Sequence, residues 1–364
     1  MRRLVVFGLS ISSSWGNGHA TTYRGLLAAL ARRGWEITFF EHDVEWYRAH
    51  RDLPRPEFCD LRLYADWGSA AVRAEASSAV READAVLVGS YVAHGTDLVQ
   101  WLDGQPARPR FFYDIDTPIT LTAFQQCGAA EYLRADQVPT FNVYFSFTGG
   151  PALDELERTW GAQQARALYC GVDESVYRPH DVQERFACAV GYMGTYAVDR
   201  QPGLERLLLD PARRNPGASF ILAGAQYPQG MRLPPNVRHI QHLYPADHAA
   251  FYSSCGLTLN LTRSAMVRYG WSPSVRLFEA AACGACIVSD TWGGLSTLFQ
   301  EGREILLTTS GADVQACLAL TDTQRQAIGE AARHRVLAEH TYERRAEVFE
   351  DAVDRSAAVG ATVR

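Results

Sequence analysis

Apolar runs alternate with amphipathic stretches along most of this chain. In the first half, β-branched and aromatic residues cluster into five predicted strands, at about 4–7, 36–40, 85–88, 110–113 and 143–147. Predicted helices lie between them, notably over 21–33 and 70–82. A second series of predicted strands follows, at about 186–192, 219–223, 237–241, 257–260 and 285–289. This alternation predicts an α/β protein with parallel sheets in two Rossmann-like lobes.

The length also favours two domains, since 364 residues exceed what one hydrophobic core usually supports. The segment CGVDESVYRP, punctuated by Gly171 and Pro179, separates the two series of strands. We therefore predict a first domain over 1–170, a second over 171–340, and a final helix and tail over 341–364. A cleft between two such domains is the expected ligand site.

Composition and charge exclude several classes of function. With 47% hydrophobic residues, a formal charge of −6 and no basic stretch, nucleic acid and anionic membranes are poor partners. No apolar run approaches the roughly 18 residues of a spanning helix. The N-terminus is interpreted as a buried strand rather than a secretory signal, because it continues into a Gly-rich turn and a helix. The eight scattered cysteines, with one CxxC at Cys283 and Cys286, indicate a reduced cytoplasmic protein.

The segment SPSVRLFEAAACGACIVSD, which begins at Ser272, carries the main candidate chemistry. Ser272 is predicted as a helix N-cap with Pro273 at the first helical position, so that the amides of the helix end can bind an anion. Arg276 in the first turn offers a fork for phosphate oxygens. Glu279 follows at roughly 9–10 Å along the helix axis, near where a ribose diol would lie. An ordinary ion pair between Arg276 and Glu279 is the alternative.

Several motifs together resemble the GT-B glycosyltransferases, and among them the group-1 transferases of the spore maturation protein CgeB type. These motifs are GVDESVYRP, LFEAAACGACIVSD with WGGLSTLFQEGREILL, YDIDTP, FTGG and HTYERRA. The resemblance covers nearly the whole chain. It implies two facing Rossmann-like domains, with a C-terminal helix that returns to the first. It also implies a nucleotide-diphosphate sugar as co-substrate, no other cofactor, and transfer of a hexosyl-type sugar to an acceptor hydroxyl, with retention and without metal.

The resemblance further implies that Glu279, the second of two Glu separated by seven residues, holds the ribose hydroxyls. The first Glu would stand at position 271, where this chain has Trp271, so the donor sugar stays open. The full set of donor-side candidates is Gly194, Arg200, Tyr244, Ser274, Arg276, Glu279, Gly293, Gly294 and Leu295. The alternatives are a solvated surface role for Arg200, a core position for Tyr244, and a plain turn at the two glycines.

In the first domain, the loop SSSWGNGH connects a predicted strand to the following helix. Loops at this edge of such a sheet usually face the ligand. Its acceptor-side candidates are Gly16, Asn17, Gly18 and His19. The loop is not G-x-G-x-x-G, and no acidic residue clearly ends the next strand, so a dinucleotide site is a weak hypothesis.

The catalytic candidates are His19, His94, Asp116 and Arg200. A retaining enzyme needs no strong base, because the leaving phosphate can take the proton of the acceptor. An inverting enzyme would use His19 or Asp116 as its base. Asp114 and Asp116 spell an Asp-x-Asp motif in which Mg²⁺ binding stays possible, although the resemblance implies no metal.

Two further functions fit the same pattern. A nucleotide-sugar epimerase would convert the donor without an acceptor. The second is a protein that binds a sugar nucleotide without catalysis. Trp271 favours this alternative, because it stands where the resemblance implies a Glu. The base and sugar of the donor, the acceptor and the oligomeric state are not specified by the sequence.

Overall fold

The computed structural model describes residues 1–106 and 108–362, which form two compact units. The first unit comprises Met1–Gly171 together with the C-terminal helix that starts at Tyr342, and the second comprises Val172–Thr341. Each unit has its own hydrophobic core. None of the helices within the described residues is long and apolar enough to cross a bilayer.

The first unit is built on a parallel sheet. Its strands in chain order are β1 (Arg2–Gly8), β2 (Trp35–His42), β3 (Asp60–Tyr64), β4 (Ala85–Gly89), β5 (Arg110–Asp114), β6 (Ala129–Ala130), β7 (Leu133–Arg134), β8 (Val143–Ser146) and β9 (Ala165–Ala167). Within the described residues of this unit, the main sheet has the order β3-β2-β1-β4-β5-β8-β9, and β6 pairs with β7 in a short antiparallel ribbon. The order reverses between β1 and β4, which is the point where α/β sheets of this type bind ligands.

Helices connect these strands. They are α1 (Gly18–Arg32), α2 (Glu45–Arg48), α3 (Ala70–Glu82), α4 (Gly95–Asp103), α5 (Thr117–Cys127) and α6 (Pro151–Arg158). Asn17 is the N-cap of α1, where its side-chain oxygen accepts a hydrogen bond from the amide of His19 at 3.1 Å. The cap fixes the start of α1 directly after the loop that follows β1.

The second unit, all of whose residues are described, repeats the same plan. Its strands are β10 (Cys188–Met193), β11 (Phe220–Ala223), β12 (Val237–Ile240), β13 (Cys255–Asn260), β14 (Ile287–Ser289) and β15 (Leu306–Leu307). They form one parallel sheet in the order β12-β11-β10-β13-β14-β15. Its switch point therefore lies between β10 and β13.

The helices of the second unit precede a long C-terminal helix. They are α7 (Gln201–Leu204), α8 (Asp210–Arg214), α9 (Pro245–Ser254), α10 (Ser264–Tyr269), α11 (Val275–Ala282), α12 (Leu295–Leu298), α13 (Gly311–Leu318) and α14 (Asp322–Glu339). A π-helical turn, Glu205–Leu209, joins α7 to α8. The chain then returns to the first unit as α15 (Tyr342–Thr362).

The C-terminal helix α15 packs closely on α1. Arg345 is 7% exposed, and its Nε donates to the carbonyl oxygens of Tyr169 and Cys170 at 3.1 and 3.0 Å. Gly25 of α1 lies against Tyr342, whose ring would be only 2.1 Å from a Cβ atom at that position. The absence of a side chain at Gly25 therefore lets the two helices approach.

We expect Gly25→Ala to destabilise the first unit by about 1–3 kcal/mol, because the added methyl group overpacks the contact with Tyr342. Denaturant unfolding measures the loss. Gly18→Ala at the start of the same helix is the matched control, since a Cβ there meets no atom within 4 Å. Equal stability of both variants would show that α15 does not depend on this contact.

The predicted strands match observed ones, but the short ribbon of β6 and β7 and three edge strands were missed. The edge strands are β3, β9 and β15. Edge strands bury little surface and carry no continuous apolar run. β3 reads DLRLY, and only its last residue is fully buried. β15 has two residues. Such segments lack the pattern on which strand prediction depends.

Candidate functional site

The candidate site of the second unit lies at the switch point of its sheet, between β10 and β13. Gly194 directly follows β10, and Asn260 is the last residue of β13. A short 3-10 turn after β10 ends at Arg200. The side-chain oxygen of Asn260 accepts hydrogen bonds from Ser274 Oγ at 2.9 Å and from Arg276 Nη1 at 3.0 Å. The predicted residues around α11 are thus tied to the carboxyl end of the sheet.

Two guanidinium groups lie at this edge, and neither forms an ion pair with a carboxylate of the described residues. The guanidinium carbon of Arg276 lies 5.5 Å from the centre of the Tyr192 ring. Arg200 donates to the carbonyl oxygen of Thr195 at 2.7 Å. The Nε atoms of both arginines are buried and have no hydrogen-bond partner in the described chain. The solvated surface role considered for Arg200 therefore does not describe its position.

The electrostatics of this pair favour an anion. Burial, together with the positive charge of Arg276, lowers the pKa of Arg200. Asp199, the acid next to it in sequence, instead accepts a hydrogen bond from the amide of Ser264 at 3.0 Å. Across the described residues no ion pair joins Arg276 to Glu279, so that alternative is not observed. Phosphate oxygens would satisfy the free N–H groups and offset the repulsion between the guanidinium groups.

The helix start at this site differs from the prediction. Ser272 is not the N-cap and Pro273 is not the first helical residue, because α11 begins at Val275 with Ser274 at the N-cap position. Ser274 is extended, with ψ of 148°, and its hydroxyl donates to Asn260 instead of capping the helix. The amides of Val275 and Arg276 make no hydrogen bond within the described residues. The positive end of α11 is therefore open to an anion, two residues later than expected.

Glu279 is buried in the middle of α11, at 4% exposure. Its Oε2 accepts a hydrogen bond from the hydroxyl of Tyr252 at 3.1 Å. A buried carboxylate requires hydrogen-bond partners. The single hydrogen bond from Tyr252 leaves the Glu279 carboxylate able to accept others. Its predicted role toward a ribose diol stays a prediction.

Gly194 provides the space for the arginine pair. A Cβ atom at this position would lie 2.5 Å from the hydroxyl of Tyr192 and 3.1 Å from Arg276 Nη2. The carbonyl of Gly194 also accepts a hydrogen bond from the hydroxyl of Tyr227 at 3.0 Å. A side chain here would displace the guanidinium group of Arg276.

Trp271 adopts a left-handed backbone conformation, with φ of 43°, which is unusual for a bulky residue. Its amide donates to the carbonyl of Gly293, and a Cβ atom on Gly294 would lie 2.3 Å from its ring. Gly294 is therefore required beside the indole, whereas a Cβ atom on Gly293 would lie 3.2 Å from it. Leu295 is buried, and its amide donates to the carbonyl of Trp292. Backbone strain of this kind is concentrated at functional sites.

Tyr244 does not belong to the core. Its side chain is 65% exposed, and its ring meets that of His242 edge to face at 4.5 Å. Leu243 beside it is buried. Tyr244 directly precedes α9, on the side of the sheet that carries β12. The proposed contact with a nucleobase stays a prediction.

The loop after β1 in the first unit is held by a buried acid that the sequence did not identify. Glu41, near the end of β2, accepts hydrogen bonds from the hydroxyls of Ser10 and Ser12 at 2.9 and 2.5 Å. It also accepts from the amides of Ile11 and Ser12. Because all of these groups belong to the loop, Glu41 is not available to bind a ribose. Gly16 has φ of 62°, and Asn17 closes the loop through the carbonyls of Ser10 and Ser13.

Two of the three first-unit catalytic candidates meet. His19 Nε2 lies 2.9 Å from Asp116 Oδ2. The other ring nitrogen of His19 is buried and has no partner in the part of the chain that is described, whereas the Asp116 side chain is 27% exposed. An incoming hydroxyl can therefore reach Asp116 but not the free nitrogen of His19. His94 is exposed and stands apart, with its ring 5.6 Å from that of His42.

Asp114 ends β5 inside the protein. Its Oδ2 accepts a hydrogen bond from the hydroxyl of Tyr144 at 2.6 Å, and its Oδ1 accepts one from the amide of Asp116 at 3.2 Å. Burial raises the pKa of Asp114 to about 6, although hydrogen bonds from Tyr144 and Thr120 oppose the shift. The described residues contain no group of three or more His, Cys, Asp or Glu side chains arranged for a metal ion.

The pKa of Asp114 predicts a pH-dependent stability. An unfolded aspartate ionises near pH 4, so the favourable burial of the neutral acid is complete below that pH and is lost as pH rises through about 6. We expect Asp114→Asn to gain about 3 kcal/mol of unfolding free energy relative to the wild type between pH 4 and pH 7.5. Denaturant unfolding at both pH values measures it, with the exposed Asp181→Asn as control. A pH-independent difference would contradict the prediction.

The CxxC cysteines are not arranged for redox or metal chemistry. Cys283 and Cys286 are both buried and free. Burial raises the pKa of each thiol to about 12. Both therefore stay protonated at neutral pH, whereas metal ligands and nucleophiles are thiolates.

Three residues of the second-unit site were missed in the sequence. Asn260 and Tyr192 lie at or near the ends of predicted strands, and a polar residue at the carboxyl end of a buried strand is a signal that could have indicated them. Tyr252 lies on α9 and reaches Glu279 only through tertiary packing. No local pattern indicates that contact.

The chain is similar to known proteins in its fold and in part of its sequence. A family model described as "Glycosyl transferase-like" matches residues 200–351, less than half of the chain, and the match includes Arg200, Arg276 and Glu279. No curated protein matches the chain in sequence.

Solved structures are similar in fold to this chain over nearly its whole length. Sucrose-phosphate synthase from Thermosynechococcus elongatus has a TM-score of 0.71 and 15% identity, covering 99% of this chain and 100% of that one. HepE of Anabaena, in complex with UDP and glucose, has a TM-score of 0.66 and 13% identity, covering 98% and 100%. An alpha-glucosyltransferase, in complex with UDP and a DNA 13-mer, has a TM-score of 0.67 and 12% identity, covering 97% and 99%. The predicted α/β fold with two Rossmann-like domains, as in GT-B structures, is thereby confirmed.

Proposed function

We propose that this protein is a glycosyltransferase that moves a sugar from a nucleoside-diphosphate donor to an acceptor hydroxyl. One observation carries the proposal: Arg200 and Arg276 lie together with buried, unpartnered Nε atoms beside the uncapped start of α11. Two guanidinium groups and free helix amides at a sheet switch point suit a diphosphate. The family match and the UDP complexes of similar folds support the same ligand class.

The donor-binding role of the second unit follows from the placement of its groups. The diphosphate contacts Arg200, Arg276 and the first amides of α11, and Glu279 on the same helix holds the ribose. The exposed ring of Tyr244 packs on the base. UDP is the nucleotide we propose, since the structures of HepE and of the alpha-glucosyltransferase named above are complexes with UDP, and a hexose is the sugar.

The chemical step is mainly electrostatic. As the glycosidic bond breaks, negative charge develops on the leaving phosphate. Arg200, Arg276 and the dipole of α11 stabilise that charge in a site where they are already arranged for it. We propose retention without a metal, in which the leaving phosphate accepts the proton of the acceptor hydroxyl.

The acceptor is assigned to the first unit, at the loop of Gly16, Asn17 and Gly18 and the pair of His19 and Asp116. Asp116 is the more exposed member of that pair and orients the acceptor hydroxyl, while His19 Nε2 contacts its carboxylate. His94, which contacts neither, is not part of this arrangement.

A thermal-shift panel of UDP, GDP, dTDP and ADP sugars tests the donor class. A ligand at 100 times its Kd stabilises the folded state by about 2.7 kcal/mol. We expect a UDP-sugar to raise the Tm, and product analysis to find its sugar attached to an acceptor. Conversion of the donor without an acceptor would indicate an epimerase, and binding without turnover a protein that only binds sugar nucleotides. No shift with any nucleotide would contradict the proposal.

A further inference from the structure

Two tryptophan rings stand on the surface of the first unit around one histidine. The indole of Trp15 stacks on the imidazole of His50 at 4.6 Å with an interplanar angle of 11°. The ring of Trp46 lies 5.8 Å from the same imidazole. Trp15 is 49% exposed and Trp46 is 59% exposed. We call Trp15, His50 and Trp46 the aromatic platform.

The backbone on either side of the platform is firmly held. The hydroxyl of Ser13 donates to the carbonyl of His50 at 2.8 Å, and His50 Nδ1 lies 2.9 Å from the carbonyl oxygen of Trp46. The amide and hydroxyl of Ser14 both donate to Asp52. The two exposed indoles are therefore presented by ordered segments that are linked to each other, which is the preorganisation that a binding site needs.

The arginines next to the platform are paired with acids. Asp43 accepts hydrogen bonds from Arg48 and forms an ion pair with Arg51. Arg24 donates to both carboxylate oxygens of Asp52 at 2.8 Å. A surface that binds nucleic acid needs unpaired basic groups, and these arginines are paired. A neutral, polar ligand with an apolar face fits the platform better than an anion.

Trp15 belongs to the same loop as Asn17 and His19, and four residues span at most about 14 Å. An extended ligand that stacks on Trp15 is therefore long enough to reach the pair of His19 and Asp116. The pyranose ring of a saccharide has an apolar C–H face for an aromatic ring and hydroxyl groups for the polar surroundings.

We propose that the aromatic platform binds a sugar ring of a saccharide acceptor. The proposal rests on the function proposed above and names its acceptor class: a neutral oligosaccharide, whose reacting hydroxyl lies at Asp116 while a further ring stacks on Trp15 and Trp46.

Titration with maltotriose, cellotriose, triacetylchitotriose and mannotriose, followed by tryptophan fluorescence and calorimetry in the presence of UDP, tests this assignment. We expect at least one trisaccharide to bind saturably. Trp15→Ala and Trp46→Ala should each weaken that binding about tenfold, and Trp15→Phe and Trp46→Phe should restore most of it, because the aromatic face remains. The Kd for UDP should not change in these variants.

The outcomes separate the two proposals. If UDP binds but no trisaccharide does, or if trisaccharide binding is unaffected by both alanine substitutions, the platform assignment is overturned and the donor function stands. If the indoles instead mediate binding of a thymidine 13-mer or of phosphatidylcholine vesicles, the platform serves another ligand class and the assignment is also overturned. If a trisaccharide binds through the indoles and no nucleotide binds, the proposed transferase function fails while the saccharide site remains.

Discussion

Arg276→Ala should raise the Kd for UDP by roughly 30- to 700-fold, which corresponds to a loss of about 2–4 kcal/mol for a buried charge that pairs with the ligand. The Kd for uridine should change less than about threefold, since the nucleoside lacks the phosphates that Arg276 binds. Arg200 remains in the variant, so binding is weakened but not abolished. Calorimetry with both ligands measures the two losses.

The same substitution should leave the stability of the ligand-free protein unchanged or slightly increased. Arg276 has no carboxylate partner in the described chain, and its charge opposes that of Arg200. Removing it relieves this repulsion and leaves no buried charge unpaired, which offsets the loss of the hydrogen bond to Asn260 and of the contact with the Tyr192 ring. Arg232→Ala, at an exposed arginine of the same unit, removes the same charge and is the control for long-range effects. Equal losses for UDP and uridine would show that Arg276 does not contact phosphate.

Much of the fold follows from local pattern. The central strands β1, β4, β10 and β13 are buried on both faces, so each one reads as a continuous apolar run that any period-based analysis detects. The edge strands β3 and β15 do not form such a run, because each of them has a neighbouring strand on one side only. The predicted start of α11 was wrong for another reason. Ser272, Pro273 and Ser274 all suit a helix start, and only the tertiary bond from Ser274 to Asn260 decides among them.

The site could be predicted where one segment carries it. Arg276, Glu279 and the N-terminus of α11 all belong to one short segment. Their spacing can therefore be predicted from the sequence. The partnership of Arg200 with Arg276 depends on the order of strands, which brings the end of β10 beside that of β13. The left-handed conformation of Trp271 and the bonding of Glu41 to its own loop arise from packing, and no residue pattern encodes either.

Glu279→Ala should remove the ability of the protein to distinguish UDP from 2′,3′-dideoxy-UDP. Hydrogen bonds to a charged group contribute about 1.5–3 kcal/mol each. The two that the dideoxy form cannot make total about 3–6 kcal/mol, so the wild type should prefer the ribose form by roughly 100- to 10,000-fold. The variant should bind both nucleotides with nearly equal Kd. Glu279→Gln should show an intermediate preference, because the amide still hydrogen-bonds a diol but carries no charge.

A purely structural role for Glu279 makes the opposite prediction. Tyr252 donates to this carboxylate, and Glu279→Ala leaves its buried hydroxyl without an acceptor, at about 1–3 kcal/mol of stability. Tyr252→Phe is the matched control, because it removes the same hydrogen bond and keeps the carboxylate. If Glu279→Ala lowers the Tm but keeps the preference for ribose, Glu279 only supports α9. If Tyr252→Phe keeps the preference that Glu279→Ala loses, the carboxylate itself binds the ribose.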